Sequence, residues 1–176
     1  MVTGMNDMAT QDRVSLPLGF DIPDGWVPVE PSSVGAEGAV FVAVHRGTAS
    51  EFTPNITLSV GQRPDQAQIT DIADEAVERL GRTMAALEVV RRRVIGAGVA
   101  PGVTQVLRIR TGEGQDLVQT QVLLTVPGAN PAERLILEIA CTATPEAARG
   151  LGDDFRRFVG SVHVRRDTTA DEGEDS

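Results

Sequence analysis

Lysine and tyrosine are absent from this chain of 176 residues, cysteine and tryptophan occur once each, and histidine twice. Without lysine no Walker-type phosphate loop can exist, because that loop needs its lysine on the phosphates. One cysteine, Cys141, excludes an internal disulfide framework and fits a reducing compartment. His45, His163 and Cys141 are the only soft ligands, and no carboxylates cluster around them at zinc-site spacing, so no metal site is expected. Aromatics are scarce, so the core has to be built from Val, Ile, Leu and Ala. No apolar run approaches the roughly 18 residues of a spanning helix. Residues 1–13 show no basic start followed by an apolar stretch, so no signal peptide is read and a cytoplasmic location is expected.

What is present begins with charge. All sixteen basic residues are arginine, and the net charge is −9. Five acids fall in residues 167–176, whereas 14–166 hold 18 acids against 15 arginines and are nearly balanced. An acidic chain repels phosphate backbones, so nucleic-acid binding is disfavoured. Residues 1–13 are polar and aperiodic, and 167–176 lack apolar residues; both are expected to be disordered, flanking one domain over 14–166.

Apolar alternation predicts strands over Val14–Ile22, Ala39–His45 and Phe52–Val60. Trp26, after the turn Pro23-Asp24-Gly25, is expected to anchor a sheet corner, and 28–38 to be loop. A long helix follows. Asp65 and Gln68 resemble a capping box, and Ile69, Ile72, Ala73, Ala76, Val77, Leu80, Met84 and Leu87 form an apolar stripe. Glu75–Arg79 and Glu78–Arg82 are spaced as i,i+4 pairs. Four strands, Glu88–Ile95, Val103–Thr111, Asp116–Val126 and Arg134–Ala143, then suggest an antiparallel meander. Thr144 and Pro145 open a last helix as N-cap and first-turn residue. The predicted class is α+β: an antiparallel sheet of about six to seven strands, packed between two main helices.

No residue set points to catalysis. Asp71/Asp74 and Asp153/Asp154 are the only carboxylate groupings, and both fall on exposed helix faces. Gly96–Gly102 looks like a phosphate loop but precedes a strand rather than a helix, so a plain turn is expected. Cys141 lies in phase with Leu135, Leu137 and Ile139 and reads as a buried thiol. Arg91 and Arg93 alternate with Arg92, so the three do not form one patch. The polar phases of neighbouring strands are more suggestive. Arg108 and Arg110, Gln119 and Gln121, and Glu138, continued by Thr57 and Ser59, are expected to form either a solvated sheet face or a docking face for another protein. Opposite-charge pairing across strands would mark the ordinary solvated case.

The segment Gly19-Phe-Asp-Ile-Pro-Asp-Gly-Trp26, followed by Phe52-Thr-Pro-Asn-Ile-Thr-Leu-Ser-Val60, one long helix and four strands, resembles the PsbP-like (Mog/PsbP) fold. It is most similar to the bacterial branch that includes LpqN-type lipoproteins and small secretion-associated chaperones. The resemblance spans about Val14–Val164, and the chain departs from the lipoproteins in having no lipobox cysteine. It implies a non-enzymatic binding, assembly or chaperone protein without cofactor, with a protein partner and no membrane insertion. A small-molecule or lipid carrier with an apolar cavity between sheet and helices is the alternative.

Overall fold

The computed structural model describes residues 18–47 and 51–165. The expected disordered ends, and the strand residues before Leu18, lie outside the described residues. Strands β1 (Leu18–Gly19), β2 (Trp26–Val29), β3 (Phe41–His45) and β4 (Asn55–Gln62) come first. Helix α1 (Ile69–Gly81) follows, then β5 (Ala86–Ile95), β6 (Gly102–Arg110), β7 (Asp116–Val126), β8 (Leu135–Ala143), α2 (Pro145–Ser161) and β9 (His163–Val164). Seven strands form one antiparallel sheet in the order β2-β3-β4-β8-β7-β6-β5. The first and last strands form a separate antiparallel pair. The expected α+β sandwich is what the chain adopts, with the meander β5 to β8 intact.

The two faces of the sheet follow from side-chain alternation. On one face α1 lays Ile69, Ile72, Ala73 and Ala76 on Val103, Leu123 and Ile136. On the other, α2 buries Leu151, Phe155 and Phe158 against Ile56, Leu58, Val122, Leu137 and Ile139. The Thr144 hydroxyl accepts the Ala147 amide at 3.2 Å, so the cap reads as its sequence suggests. Phe158 meets Phe20 and Phe41 at ring-centroid distances of 5.4 and 5.8 Å, which brings the start of the chain onto α2.

Several local expectations change. Residues 26–29, read as a corner and loop, form β2, and Pro28 pairs with Ala43. This is an edge strand, where a missing N–H costs no ladder bond. Trp26 is buried there, 5% exposed, edge-on to His45, with its indole N–H donating to Asp154 at 3.0 Å. The helix starts at Ile69 with Gln68 as N-cap and no side-chain cap bond. Asp65 does not cap it, because Arg63 takes both its oxygens at 2.7 and 2.8 Å. Arg63 also donates to Glu75, and Arg134 reaches the Asp65 and Ala67 carbonyls, so two arginines strap the β4–α1 connection. The Arg63 guanidinium holds the Asp65 and Glu75 carboxyls below the usual carboxylate range. Arg79 turns away from Glu75 to Glu138 at 2.7 Å, so the expected Glu75–Arg79 pair does not form. The stripe residue Leu87 belongs to β5, where it packs near Leu107 and Ile109 beyond the end of the helix.

Candidate functional site

The helices are offset toward different parts of the sheet. On its own face α1 contacts β5, β6 and β7, while α2 on the opposite face packs on β7 and β8. Each leaves a cleft beside it.

The cleft on the α1 face holds about 430 Å³ and lies between the helix and residues 35–39. Its floor gathers Thr57, Ser59, Gln119, Gln121 and Glu138, all of them polar-phase residues singled out above. Arg108 and Arg110 are not there. Cross-strand register pairs Arg108 with Val118 and Leu107 with Gln119, so the arginines project from the opposite face of the sheet. The expected single face of Arg108, Arg110, Gln119, Gln121 and Glu138 therefore does not exist. Neighbouring strands are in register with β6, but the polar phase of β6 is even-numbered where that of β7 is odd, and the pairing puts the two on opposite sides.

The individual partners separate these residues further. Arg108 bonds Glu88 at 3.3 Å and Arg110 bonds Asp116 at 2.8 Å, each its direct cross-strand neighbour. That is the opposite-charge pairing of a solvated surface. Gln121 is 2% exposed and belongs to a buried chain of hydrogen bonds. Arg92 donates to Gln105 at 2.8 Å, Gln105 to Gln121 at 2.7 Å, Gln121 to Gln119 at 2.6 Å and Gln119 to Thr142 at 2.9 Å. Gln105 is not among the polar-phase residues of β6, and its signal in the sequence is that of a lone glutamine in phase with Val103, Leu107 and Ile109, which marks a polar group inside the core. With Glu138 held by Arg79, the charged groups on this floor are satisfied.

The second cleft, about 370 Å³, opens on the α2 face over β5 and β6. Val106, Val118, Ala143, Leu151 and Phe155 supply its apolar floor, and Thr104 and Thr120 add hydroxyls. Arg91, Arg93 and Arg156 stand around it, and no carboxylate lines it. Arg156 is held by Asp153 at 2.8 Å. Arg91 and Arg93 are exposed, and their side chains make no hydrogen bond or ion pair among the described residues. Arg92 faces the other way, tied to Asp74 and Gln105, as strand alternation predicts. A bulge between Val89 and Arg91 turns the strand just before these arginines. The β5–β6 link closes as a turn: Gly96 has φ +70°, and a Cβ there would sit 2.6 Å from the Ala100 carbonyl oxygen. It leads into β6 and opens no helix.

Cys141 lies at the base of this cleft, 8% exposed. Burial, followed by the nearby Asp154 charge, pushes its thiol from 9.0 up to about 12. A thiol so disposed is a packing group and not a nucleophile. Its protonated form is favoured in the fold, so this contribution to stability is fully present below pH 9 and is lost as pH rises toward 12. The slope approaches about 1.4 kcal/mol per pH unit in that window. Urea titrations at pH 8.5 and 10.5 should show the native chain losing more stability than Cys141→Ala. Equal losses would place the thiol in contact with water. No group of three or more His, Cys, Asp or Glu among the described residues could hold a metal ion, and none of their helices is long and apolar enough to cross a membrane.

Two helices clasping a seven-stranded antiparallel sheet, with an accessory strand pair joining the ends, define the PsbP/Mog1-like α+β fold. Solved structures bear this out. LpqN of Mycobacterium tuberculosis, described as involved in cell envelope biogenesis, superposes with a TM-score of 0.65 at 12% identity, over 85% of this chain and 83% of that one. The cyanobacterial PsbP of Synechocystis gives 0.59 at 16% identity, over 85% and 87%. The Ran-binding protein Mog1p of Saccharomyces cerevisiae gives 0.54 at 15% identity, over 84% and 90%. No protein-family model matches the chain, and no curated protein sequence matches it either. At these identities the shared property is the fold.

Proposed function

We propose that this chain is a non-enzymatic protein-binding module whose docking surface is the α2-side cleft together with the adjoining edge strand β5. The observation that carries the assignment is the pair Arg91 and Arg93, whose side chains are exposed and, among the described residues, unpaired beside a sheet edge that no described strand covers. By contrast Arg156 in the same cleft, Arg79 in the α1-side cleft, and Arg108 and Arg110 beside β5 are each paired with an acid. Two uncompensated cations above an apolar floor suit a partner that brings its own carboxylates. This surface leaves out the α1-side residues Gln119, Gln121 and Glu138 and lies on the face that also carries Arg108 and Arg110, at the β5 edge. A chaperone or adaptor role in a secretion or surface-assembly system, in a reducing compartment, is the form we favour. It is supported by the fold shared with a protein of cell envelope biogenesis and a Ran-binding protein.

Affinity capture of the tagged chain from its native lysate, run in parallel on Arg91→Glu/Arg93→Glu and Arg108→Glu/Arg110→Glu, tests the assignment. One stoichiometric partner is expected with the native chain and the second variant, and not with the first. Retention by both variants, or loss with the second alone, counts against this surface.

The apolar floor also favours a second reading, a carrier of a small amphiphile, since about 370 Å³ lies within the usual range of small-molecule pockets. Native mass spectrometry showing a co-purified adduct, displaced by Leu151→Trp, would support it.

A further inference from the structure

We propose that the outer edge of β5 accepts an extended acidic peptide as an eighth strand, with carboxylates at alternate positions seated on Arg91 and Arg93. This rests on the protein-binding assignment above and specifies its ligand. β5 is ten residues long and stands last in the sheet order, so its outer backbone groups pair with no strand among the described residues. Such an edge is a template for strand addition, where main-chain bonds supply affinity and alternate side chains supply specificity. The bulge at Val90 interrupts the template, leaving the regular run Arg91–Ile95, which pairs with β6 on its inner side without a further shift.

Register then dictates the ligand's sequence. Arg91 and Arg93 project on the cleft side, two residues and about 6.6 Å apart along the strand. An added strand presents its own i and i+2 side chains at the same spacing, each about 5 Å from its cross-strand neighbour. Two acids separated by one residue therefore face the two arginines. On the other side of the sheet, Arg92 is committed to Asp74 and Gln105, while Val94 is 56% exposed. In the antiparallel orientation, the more stable one, the ligand reads apolar, acidic, any, acidic from its N-terminus, lying opposite Val94, Arg93, Arg92 and Arg91 in turn. Charge favours peptide over nucleic acid: the whole chain is at −9, and the one aromatic ring on the cleft floor, Phe155, is 4% exposed and offers no stacking face.

The experiment uses the full chain and fluorescein-labelled peptides carrying Val-Glu-Thr-Glu, the same residues reordered as Val-Glu-Glu-Thr, and the first sequence with alternate backbone amides N-methylated. Fluorescence anisotropy should show saturable binding of the first peptide only. Arg91→Glu/Arg93→Glu should weaken it at least ~10-fold, because each reversal turns an attraction into a repulsion. Arg91→Gln/Arg93→Gln, checked for an unchanged melting temperature, should weaken it less, and Arg108→Glu/Arg110→Glu should leave it within about twofold. Equal binding of the reordered peptide, or indifference to N-methylation, overturns strand addition in favour of diffuse charge attraction. Displacement of the peptide by phosphatidylglycerol vesicles would reassign the arginines to a membrane surface and also overturn it. If no peptide binds while partner capture still depends on Arg91 and Arg93, the strand mode fails and the docking surface stands. If capture is also indifferent to them, both fail.

Discussion

Phe158→Ala is expected to lower the free energy of unfolding by about 3–5 kcal/mol. Phe158 is 1% exposed on α2 and packs against both Phe20 and Phe41, which touch each other at a ring-centroid distance of 4.4 Å, while resting on the sheet core. Truncation removes an aromatic side chain and opens a cavity whose lining belongs to three segments that are remote in sequence. Phe20 lies just after β1 and Phe41 opens β3, so neither can collapse inward without moving a strand. Domains of this size are stable by about 5–15 kcal/mol, so the loss takes a large share of the total. Urea titration should show the midpoint falling with an unchanged slope, and Phe158→Leu should lose clearly less. A drop below about 1 kcal/mol would mean that α2 does not pack on the sheet through this residue.

The second large effect is expected from the glutamine chain beneath α1. Gln105 and Gln121 are 1% and 2% exposed, and Gln105 Nε2 donates both to Gln121 and, at 3.4 Å, to the Ala73 carbonyl of α1. Gln121→Leu keeps the volume but strips the Gln119 Oε1 of its donor and leaves the Gln105 Nε2 with the long bond to Ala73 alone. Buried groups left without partners cost about 1–3 kcal/mol each, so a loss of about 2–4 kcal/mol is expected. Gln105→Leu should cost a similar amount by orphaning the Arg92 Nε. The double variant should cost less than the two together, by at least 0.5 kcal/mol, because the groups share one bond. Strict additivity in the double-mutant cycle would show that the two amides do not interact. The chain runs in one direction, from the Arg92 donor to the Thr142 acceptor, and polarises along its length.

These two sites differ in how far the sequence discloses them. In the last helix Ala148, Leu151, Gly152, Phe155, Phe158 and Val159 fall on one face by their spacing, which announces that Phe158 is buried, since only that face carries large apolar groups. Its aromatic partners cannot be read, because Phe20 sits on a short segment whose position depends on β1 pairing with β9. For the glutamines, alternation in β7 discloses a polar phase and nothing more. Whether that phase meets water depends on where α1 lies. Ala73 and Ala76, 0% and 2% exposed, let the helix approach closely enough to seal the amides in.

The arginines show the same division. Period-two alternation separates Arg92 from Arg91 and Arg93, and the structure keeps that separation. Alternation within β6 and within β7 was equally sound, yet it could not join Arg108 and Arg110 to Gln119 and Gln121. Joining two strands needs their register, and pairing Leu107 with Gln119 puts those groups on opposite faces. A shift of one residue would have united them.

The chain's local patterns were enough to disclose the antiparallel meander, the two amphipathic helices, the capped start of α2 and the α+β class, though not the edge strand β2. Each rests on contacts between residues near in sequence, where side-chain period and turn chemistry act directly. Strand order, the partners chosen by Arg63, Arg79 and Arg134, the burial of the glutamine chain and the pair of clefts were decided by tertiary structure alone. They depend on where each helix settles across the sheet, and that position comes from the summed packing of α1 on β5 to β7 and of α2 on β7 and β8. Arg91 and Arg93 are exposed for the same reason: α2 packs over the middle of the sheet and stops short of its edge.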